Sequence, residues 1–187
     1  MSLQSCARWF AVGLLAAALA PCATAQKADE NPTVKDFQDR ISNYLSAKKK
    51  QDIATKPTDS TDKLAQQKQQ TTEKTQAARP TAQRGDIFTP AIAAYFKKQI
   101  EVTLRGAKGQ KVRASLRHAE PLPNVQLQVN AKYPKNLPLQ STPPTLLMNL
   151  PQLPKELQYR IVGSTLVLYD MGSDLVVDFI PNAVPTA

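Results

Sequence analysis

The last third of the chain constrains the fold most, because apolar and β-branched residues are denser from Leu157 to Val184 than anywhere else beyond the first 25 residues. Breaks at residues 163–164 and 171–174 have the composition of hairpin turns. They divide the stretch into three short strands, predicted at residues 157–162, 165–170 and 175–180. The density of apolar side chains indicates that this stretch is mainly a core.

A fourth strand is predicted upstream, where the hydrophobic period is two. Apolar residues alternate with polar ones from Val125 to Tyr133, which is typical of a strand with one face in water. Alternation in the last strand also predicts that Leu175, Val177 and Phe179 share a face. Together these segments predict a small antiparallel sheet of about four strands.

A proline-rich loop at residues 134–155 separates the fourth strand from the other three, with prolines at 134, 138, 143, 144, 151 and 154. Because proline lacks a backbone donor, the loop should contain no long regular structure. Its large apolar residues are Leu146, Leu147, Met148, Leu150 and Leu153. We expect the loop to cover the sheet and to provide a partner-binding groove. An alternative is a small-ligand cavity lined by Tyr159, Tyr169 and Met148.

One amphipathic helix is predicted to pack on this sheet. Thr89 is a candidate N-cap. Pro90 suits the first helical position, because an N–H at that position would have no acceptor within the helix. The apolar face recurs at helical spacing as Ile92, Phe96, Ile100 and Leu104. The helix and the sheet predict an α+β domain at residues 85–187, a size that folds alone.

A mostly helical, partly flexible basic arm is predicted at residues 26–84. Its first helix, from Thr33 to Lys50, has a narrow apolar stripe formed by Val34, Phe37, Ile41, Tyr44 and Leu45. A second segment, from Ser60 to Arg79, is polar on all sides and should draw little stability from packing. It is predicted to be an exposed helix of low stability, and a flexible tether is the alternative.

Residues 1–25 have the pattern of a cleaved signal peptide. Arg8 precedes an apolar run that is too short to span a bilayer comfortably, and Ala23-Thr24-Ala25 matches an A-x-A cleavage site. Cleavage after Ala25 predicts a periplasmic or secreted protein without a transmembrane helix in the mature chain. The alternatives are a lipoprotein box ending at Cys22, against which Pro21 argues, and an uncleaved N-terminal anchor.

Both cysteines, Cys6 and Cys22, lie in this removable segment. The mature chain should therefore contain no disulfide, no thiol nucleophile and no cysteine-bound metal.

The excess of positive over negative charge lies in one half of the protein. Residues 26–120 carry 19 Lys and Arg against 11 Asp and Glu, whereas residues 121–187 carry 4 against 4. The densest part is a basic patch made of Lys97, Lys98, Arg105, Lys108, Lys111, Arg113 and Arg117. Such a patch favours an anionic surface or an acidic protein face as partner. Export argues against nucleic acid as that partner, and a plain solvated face is the alternative.

Catalytic motifs are absent from the sequence: there is no His/Cys cluster, no H-E-x-x-H, no G-x-S-x-G and no phosphate-binding glycine loop. No cofactor, metal ligand or catalytic residue is predicted. The one candidate catalytic arrangement consists of three aspartates spaced by four, Asp170, Asp174 and Asp178. They could pair as general acid and base. Asp178 is expected to face water opposite Arg160.

Four segments, "GDIFTPAIAAYF", "LRHAEP", "PLQSTPPTLLMNLPQLP" and "YRIVGSTLVLYDMGSDLVVDFIPNA", resemble a group of exported bacterial proteins without a known activity. The resemblance covers residues 85–185 and implies a bacterial secreted domain, with no functional residue to carry over. Export, charge asymmetry and missing motifs predict a non-enzymatic envelope protein that binds an envelope protein or an anionic surface. The alternative is a carboxylate-dependent hydrolase acting on an envelope polymer.

Overall fold

A computed structural model of the chain describes residues 31–51, 60–105, 109–117, 126–135 and 142–184. These residues form a mixed helix and sheet fold around a three-stranded antiparallel sheet. The helices are α1 (Pro32–Gln51), α2 (Thr61–Ala77), α3 (Pro90–Arg105), α4 (Gly109–Arg117) and α5 (Pro144–Leu147). The strands are β1 (Leu157–Val162), β2 (Thr165–Asp170) and β3 (Leu175–Ile180). The predicted signal peptide lies outside the described residues.

The sheet has the order β1-β2-β3, and its strands have the bounds that the sequence predicts. The β1–β2 hairpin closes on the pair Val162 and Thr165, with Gly163 in the left-handed region at φ 58°. The β2–β3 turn places Asp174 in the same region, also at φ 58°. Turn residues of these types tolerate positive φ, which is why the local signals locate the strand ends well.

A register shift between Leu168 and Tyr169 interrupts the pairing of β2 with β3. Because of this bulge, Val177 packs in the larger core while Phe179 packs on the other side of the sheet. The prediction that Val177 and Phe179 share a face is therefore wrong. A bulge adds one residue to a strand and shifts the alternation beyond it.

The larger core lies between one face of the sheet and helices α1 and α3. Phe37 of α1 stacks on Phe88 with ring centroids 5.7 Å apart, and Phe96 of α3 meets Tyr159 of β1 at 5.8 Å. The predicted apolar face of α3 is buried over its full length. The opposite face of the sheet carries a smaller cluster in which Tyr133 packs on Tyr169.

A separate N-terminal arm is not confirmed, because both of its helices contact the sheet-bearing part of the chain. The apolar stripe of α1 belongs to the larger core. The hydroxyl of Thr72 in α2 lies 2.6 Å from the buried carbonyl oxygen of Ser173 in the β2–β3 turn. The side chain of Gln76 also donates to the carbonyl of Asn130. Helix α2 is therefore held by specific polar contacts rather than by an apolar face.

Replacement of Thr72 by valine tests this anchoring. Thr72→Val preserves the shape of the side chain but leaves the Ser173 carbonyl without the hydroxyl, so the free energy of unfolding should fall by about 1 kcal/mol. Thr71→Val is the matched control, since the Thr71 hydroxyl bonds to Gln67 within its own helix. Urea denaturation compares the two variants. Equal losses would show that the contact with the turn contributes nothing to stability.

The fourth predicted strand is not confirmed either. In the described part of that segment, residues 126–135, only Lys132 makes a ladder bridge, to Leu175. Asn130 adopts φ 62°, and its amide donates to the carbonyls of Gln76 and Arg79 at the end of α2. Residues 130–133 meet the edge of β3 through three backbone hydrogen bonds, one of them from the Asn130 N–H to the Val176 carbonyl at 2.8 Å. The turn at Asn130, whose side chain satisfies helix carbonyls, keeps this contact too short to form a strand.

None of the helices in the described ranges combines the length and hydropathy that a membrane span requires.

Candidate functional site

Asp170, one of the three candidate acid–base residues, is fully buried at the end of β2. Its carboxylate accepts hydrogen bonds from Lys48 Nζ at 2.7 and 2.8 Å and from the Tyr44 hydroxyl at 2.6 Å. The backbone N–H groups of Gly172 and Ser173 donate to the same carboxylate, at 2.8 and 3.1 Å. Both oxygens therefore serve to attach the end of α1 to the β2–β3 turn.

The protonation of this cluster follows from its contacts. Burial acts to raise the pKa of Asp170, but the hydrogen bonds from Lys48 and Tyr44 and the charge of Lys48 outweigh it and hold the pKa below its ordinary value. Burial and the neighbouring Asp170 charge raise the pKa of Tyr44 far above its usual range. Asp170 is accordingly ionised and Tyr44 neutral at physiological pH. Neither group is poised to exchange a proton near neutrality.

Asp178 is also fully buried, so the expectation that it faces water is wrong. Its carboxylate accepts backbone hydrogen bonds from Gly85 at 3.1 Å, Ile87 at 2.9 Å and Phe88 at 2.8 Å. The backbone N–H of Phe179 donates to the same group at 2.8 Å. Asp178 therefore fixes the turn that leads into α3.

The third aspartate lies on the other face of the sheet. Asp174 accepts a 2.6 Å hydrogen bond from the hydroxyl of Tyr169, which belongs to the smaller cluster. Burial, and then this bond, raises the pKa of Tyr169 well above its usual range. The three carboxylates, although spaced by four, therefore bind different parts of the fold and do not form one site. An acid and a base that share a substrate must converge on it, and these do not.

A cavity of about 430 Å³ lies beside the outer edge of β1. We call it the β1 groove; it is lined by Thr142, Leu147, Pro151, Gln152, Leu153, Leu157, Gln158, Tyr159 and Arg160. Residues 151–153 form its outer wall. The Tyr159 hydroxyl donates to the Pro151 carbonyl at 2.9 Å, and the Thr142 hydroxyl donates to the Tyr159 carbonyl at 2.8 Å. These two bonds fix the proline-rich segment against β1.

Two further cavities, of about 300 and 370 Å³, lie between the same wall and helix α1. Gln152 lines all three cavities. Of the residues predicted to line a ligand cavity, Tyr159 lines the β1 groove and Met148 lines the larger flanking cavity, with 86% of its surface exposed. Tyr169 is on the opposite face of the sheet. Cavities therefore flank the proline-rich segment on both sides.

Arg160 is the one charged residue that lines the β1 groove. Its guanidinium carbon lies 4.3 Å from the ring centroid of Tyr169 and 5.3 Å from that of Tyr133. Nη2 is 3.3 Å from Gln158 Oε1, whereas the buried Nε–H has no acceptor among the described residues. No described carboxylate pairs with Arg160. Sequence reasoning missed this feature, although Arg160 is the one charged residue of β1 and could have indicated it.

The described members of the predicted basic patch lie on α3 and α4, and none of them lines the β1 groove. Lys97, Lys98 and Lys111 are exposed and form no ion pair with a described residue. Arg105 pairs with Glu101 one turn earlier, and Arg113 donates to the carbonyl of Leu104. Lys108 and the side chain of Arg117 lie outside the described part.

Within the described ranges, no cluster of three or more His, Cys, Asp or Glu residues could hold a metal ion. No protein-family model, curated protein or solved structure matches this chain.

Proposed function

We propose that this chain is an exported, non-enzymatic binding module of the bacterial cell envelope that holds a protein partner in the β1 groove. The observation that carries the proposal is the groove itself, a fixed cavity with mainly apolar walls and a few polar groups, which is the usual composition of a binding site. Leu147, at its rim, is 43% exposed. Export rests on the signal-peptide pattern of residues 1–25.

The basic patch has a secondary role in this proposal. Its exposed lysines would attract an anionic partner or surface over a distance of about 8 Å at physiological salt, without fixing an orientation. The hydrolase alternative receives no support from the contacts of Asp170 and Asp178, because both carboxylates are buried and hydrogen-bonded to the fold.

The test is capture of proteins from solubilised envelopes by the full chain, at low and at high salt, with identification by mass spectrometry. A partner held in the β1 groove should survive high salt, because apolar contacts are not screened. Leu147→Glu should weaken capture about tenfold, by placing a charge against the partner's apolar surface.

Leu64→Glu is the matched control, because Leu64 on α2 is 49% exposed and lines none of the three cavities. Capture that the two variants reduce equally would overturn the assignment to the groove. Capture that disappears entirely at high salt would leave the basic patch as the binding surface instead.

A further inference from the structure

From the geometry of the β1 groove we infer the kind of segment that occupies it: an extended peptide with alternating acidic and apolar residues, which adds to the sheet as a strand beside β1. The inference rests on the proposed function, because it names the chemistry of that partner. Three observations support it: unpaired backbone groups on β1, apolar walls on one side of that edge, and an unneutralised arginine on the other.

The first observation concerns the outer edge of β1. In an antiparallel pair, alternate residues direct their backbone groups to the neighbouring strand. Leu157 and Tyr159 direct theirs outward, since Leu157 N–H donates to the Pro154 carbonyl and the Tyr159 carbonyl accepts from Thr142. Ile161 follows the same alternation. Among the described residues, no hydrogen bond from this side reaches the N–H of Tyr159 or either backbone group of Ile161. These groups form a template for an added strand.

The second observation is the composition of the two sides of this edge. Leu147, Pro151 and Leu153 line the groove on the side of the larger core. The side chains of Gln158 and Arg160 project on the opposite side, toward the smaller cluster. Side chains of an added strand alternate between these two sides. Every second residue would therefore meet apolar walls, and the residues between would meet Gln158 and Arg160.

The third observation is charge. The guanidinium of Arg160 is held against two tyrosine rings, has no described counterion, and meets no acidic residue in the groove lining. A planar guanidinium binds carboxylates well. Opposite charges on adjacent strands stabilise their pairing. The residue that faces Arg160 should accordingly be aspartate or glutamate.

The experiment is fluorescence anisotropy with a labelled ten-residue peptide of alternating valine and glutamate, titrated with the full chain. The same peptide with glutamine for glutamate should bind at least tenfold more weakly to the wild-type chain. Arg160→Gln should remove that preference, while Lys155→Gln, a basic neighbour outside the groove lining, should keep it. A preference that survives in Arg160→Gln would overturn the role of Arg160.

Backbone methylation of the peptide tests strand addition without altering the protein. An added strand directs only alternate N–H groups toward β1, so N-methylation of one set should abolish binding and methylation of the other set should not. Equal tolerance or equal loss for the two sets would overturn the strand geometry.

The outcomes also separate this inference from the proposed function. If Leu147→Glu weakens capture of an envelope protein but the peptides show no preference for glutamate, the inference fails and the proposed function stands. If the chain self-associates in analytical ultracentrifugation and Arg160→Gln abolishes this, the occupant is a second copy, and the partner peptide is excluded.

Discussion

Asp178→Ala is expected to lower the free energy of unfolding by about 3–5 kcal/mol, among the largest effects of any polar substitution in this protein. The carboxylate of Asp178 is the acceptor for three backbone N–H groups in the turn before α3, two of them, at Ile87 and Phe88, in the buried interior. Alanine cannot accept these hydrogen bonds, and a buried N–H without an acceptor costs about 1–3 kcal/mol.

Two control variants make this expectation specific. Asp178→Asn retains one acceptor oxygen in place and should cost about half as much. Asp86→Ala removes a carboxylate from the same turn that is 44% exposed and should cost less than about 1 kcal/mol. Urea denaturation followed by circular dichroism measures all three. If Asp178→Ala costs no more than Asp86→Ala, the carboxylate does not hold the turn.

The role of Asp178 could not be predicted from the sequence, and the reason is physical. Alternation along β3 locates the strand, but the register shift beside Leu168 changes the face on which later residues lie. The donors to Asp178 are about 90 residues away in the chain, in a turn whose own sequence shows only a glycine. An aspartate in an apolar strand is equally compatible with an exposed face and with a buried anchor.

The prediction of a fourth strand was not confirmed for a similar reason. The alternation from Val125 to Tyr133 is real, but Asn130 binds the end of α2 and interrupts it. In contrast, β1, β2, β3 and α3 are specified by signals within each segment, namely turn glycines, a proline at the first helical position and a continuous apolar face. Local signals therefore predicted the elements, whereas contacts between distant segments decided which of them pair.

In the candidate site, too, local sequence signals predict the segment, whereas contacts between distant residues decide its position. The proline-rich segment could be predicted as the location of a groove because its leucines need a surface to cover. Its position at the edge of β1 depends on Thr142 and Tyr159, whose hydrogen bonds no local pattern indicates. The stacking of Arg160 on two tyrosines depends on Tyr133, which is 27 positions away in sequence.

The second large loss of stability is expected when the buried ion pair of Lys48 and Asp170 is broken. Lys48→Met should lower the free energy of unfolding by about 3–5 kcal/mol at pH 7, because it leaves the Asp170 carboxylate buried without its cation. Lys49→Met is the matched control: Lys49 is the next residue of α1, is exposed, and should tolerate the change within about 0.5 kcal/mol.

A double variant separates the attraction between the partners from the cost of burying an unpaired charge. Lys48→Met combined with Asp170→Asn removes both charges, so it should be more stable than Lys48→Met alone. Tyr44→Phe, which removes one neutral donor to the same carboxylate, should cost about 1.5–3 kcal/mol. A double variant that is less stable than Lys48→Met would contradict the view that the unpaired carboxylate causes the loss.

The pH dependence provides an independent check on the same pair. The pKa of Asp170 is lower in the folded protein than its ordinary value, so its contribution to stability is present above the ordinary carboxyl pKa of about 3.9. This contribution is lost as the pH falls through the lowered, folded-state pKa.

In Lys48→Met the hydrogen bond and the charge of the lysine disappear, and burial should then raise the pKa of Asp170 relative to the wild type. The stability difference between wild type and Lys48→Met should therefore narrow as the pH falls from 7 toward 3, because protonation removes the unpaired charge in the variant first. A difference that stays constant over this range would show that the variant loses packing at the end of α1 and not an ion pair.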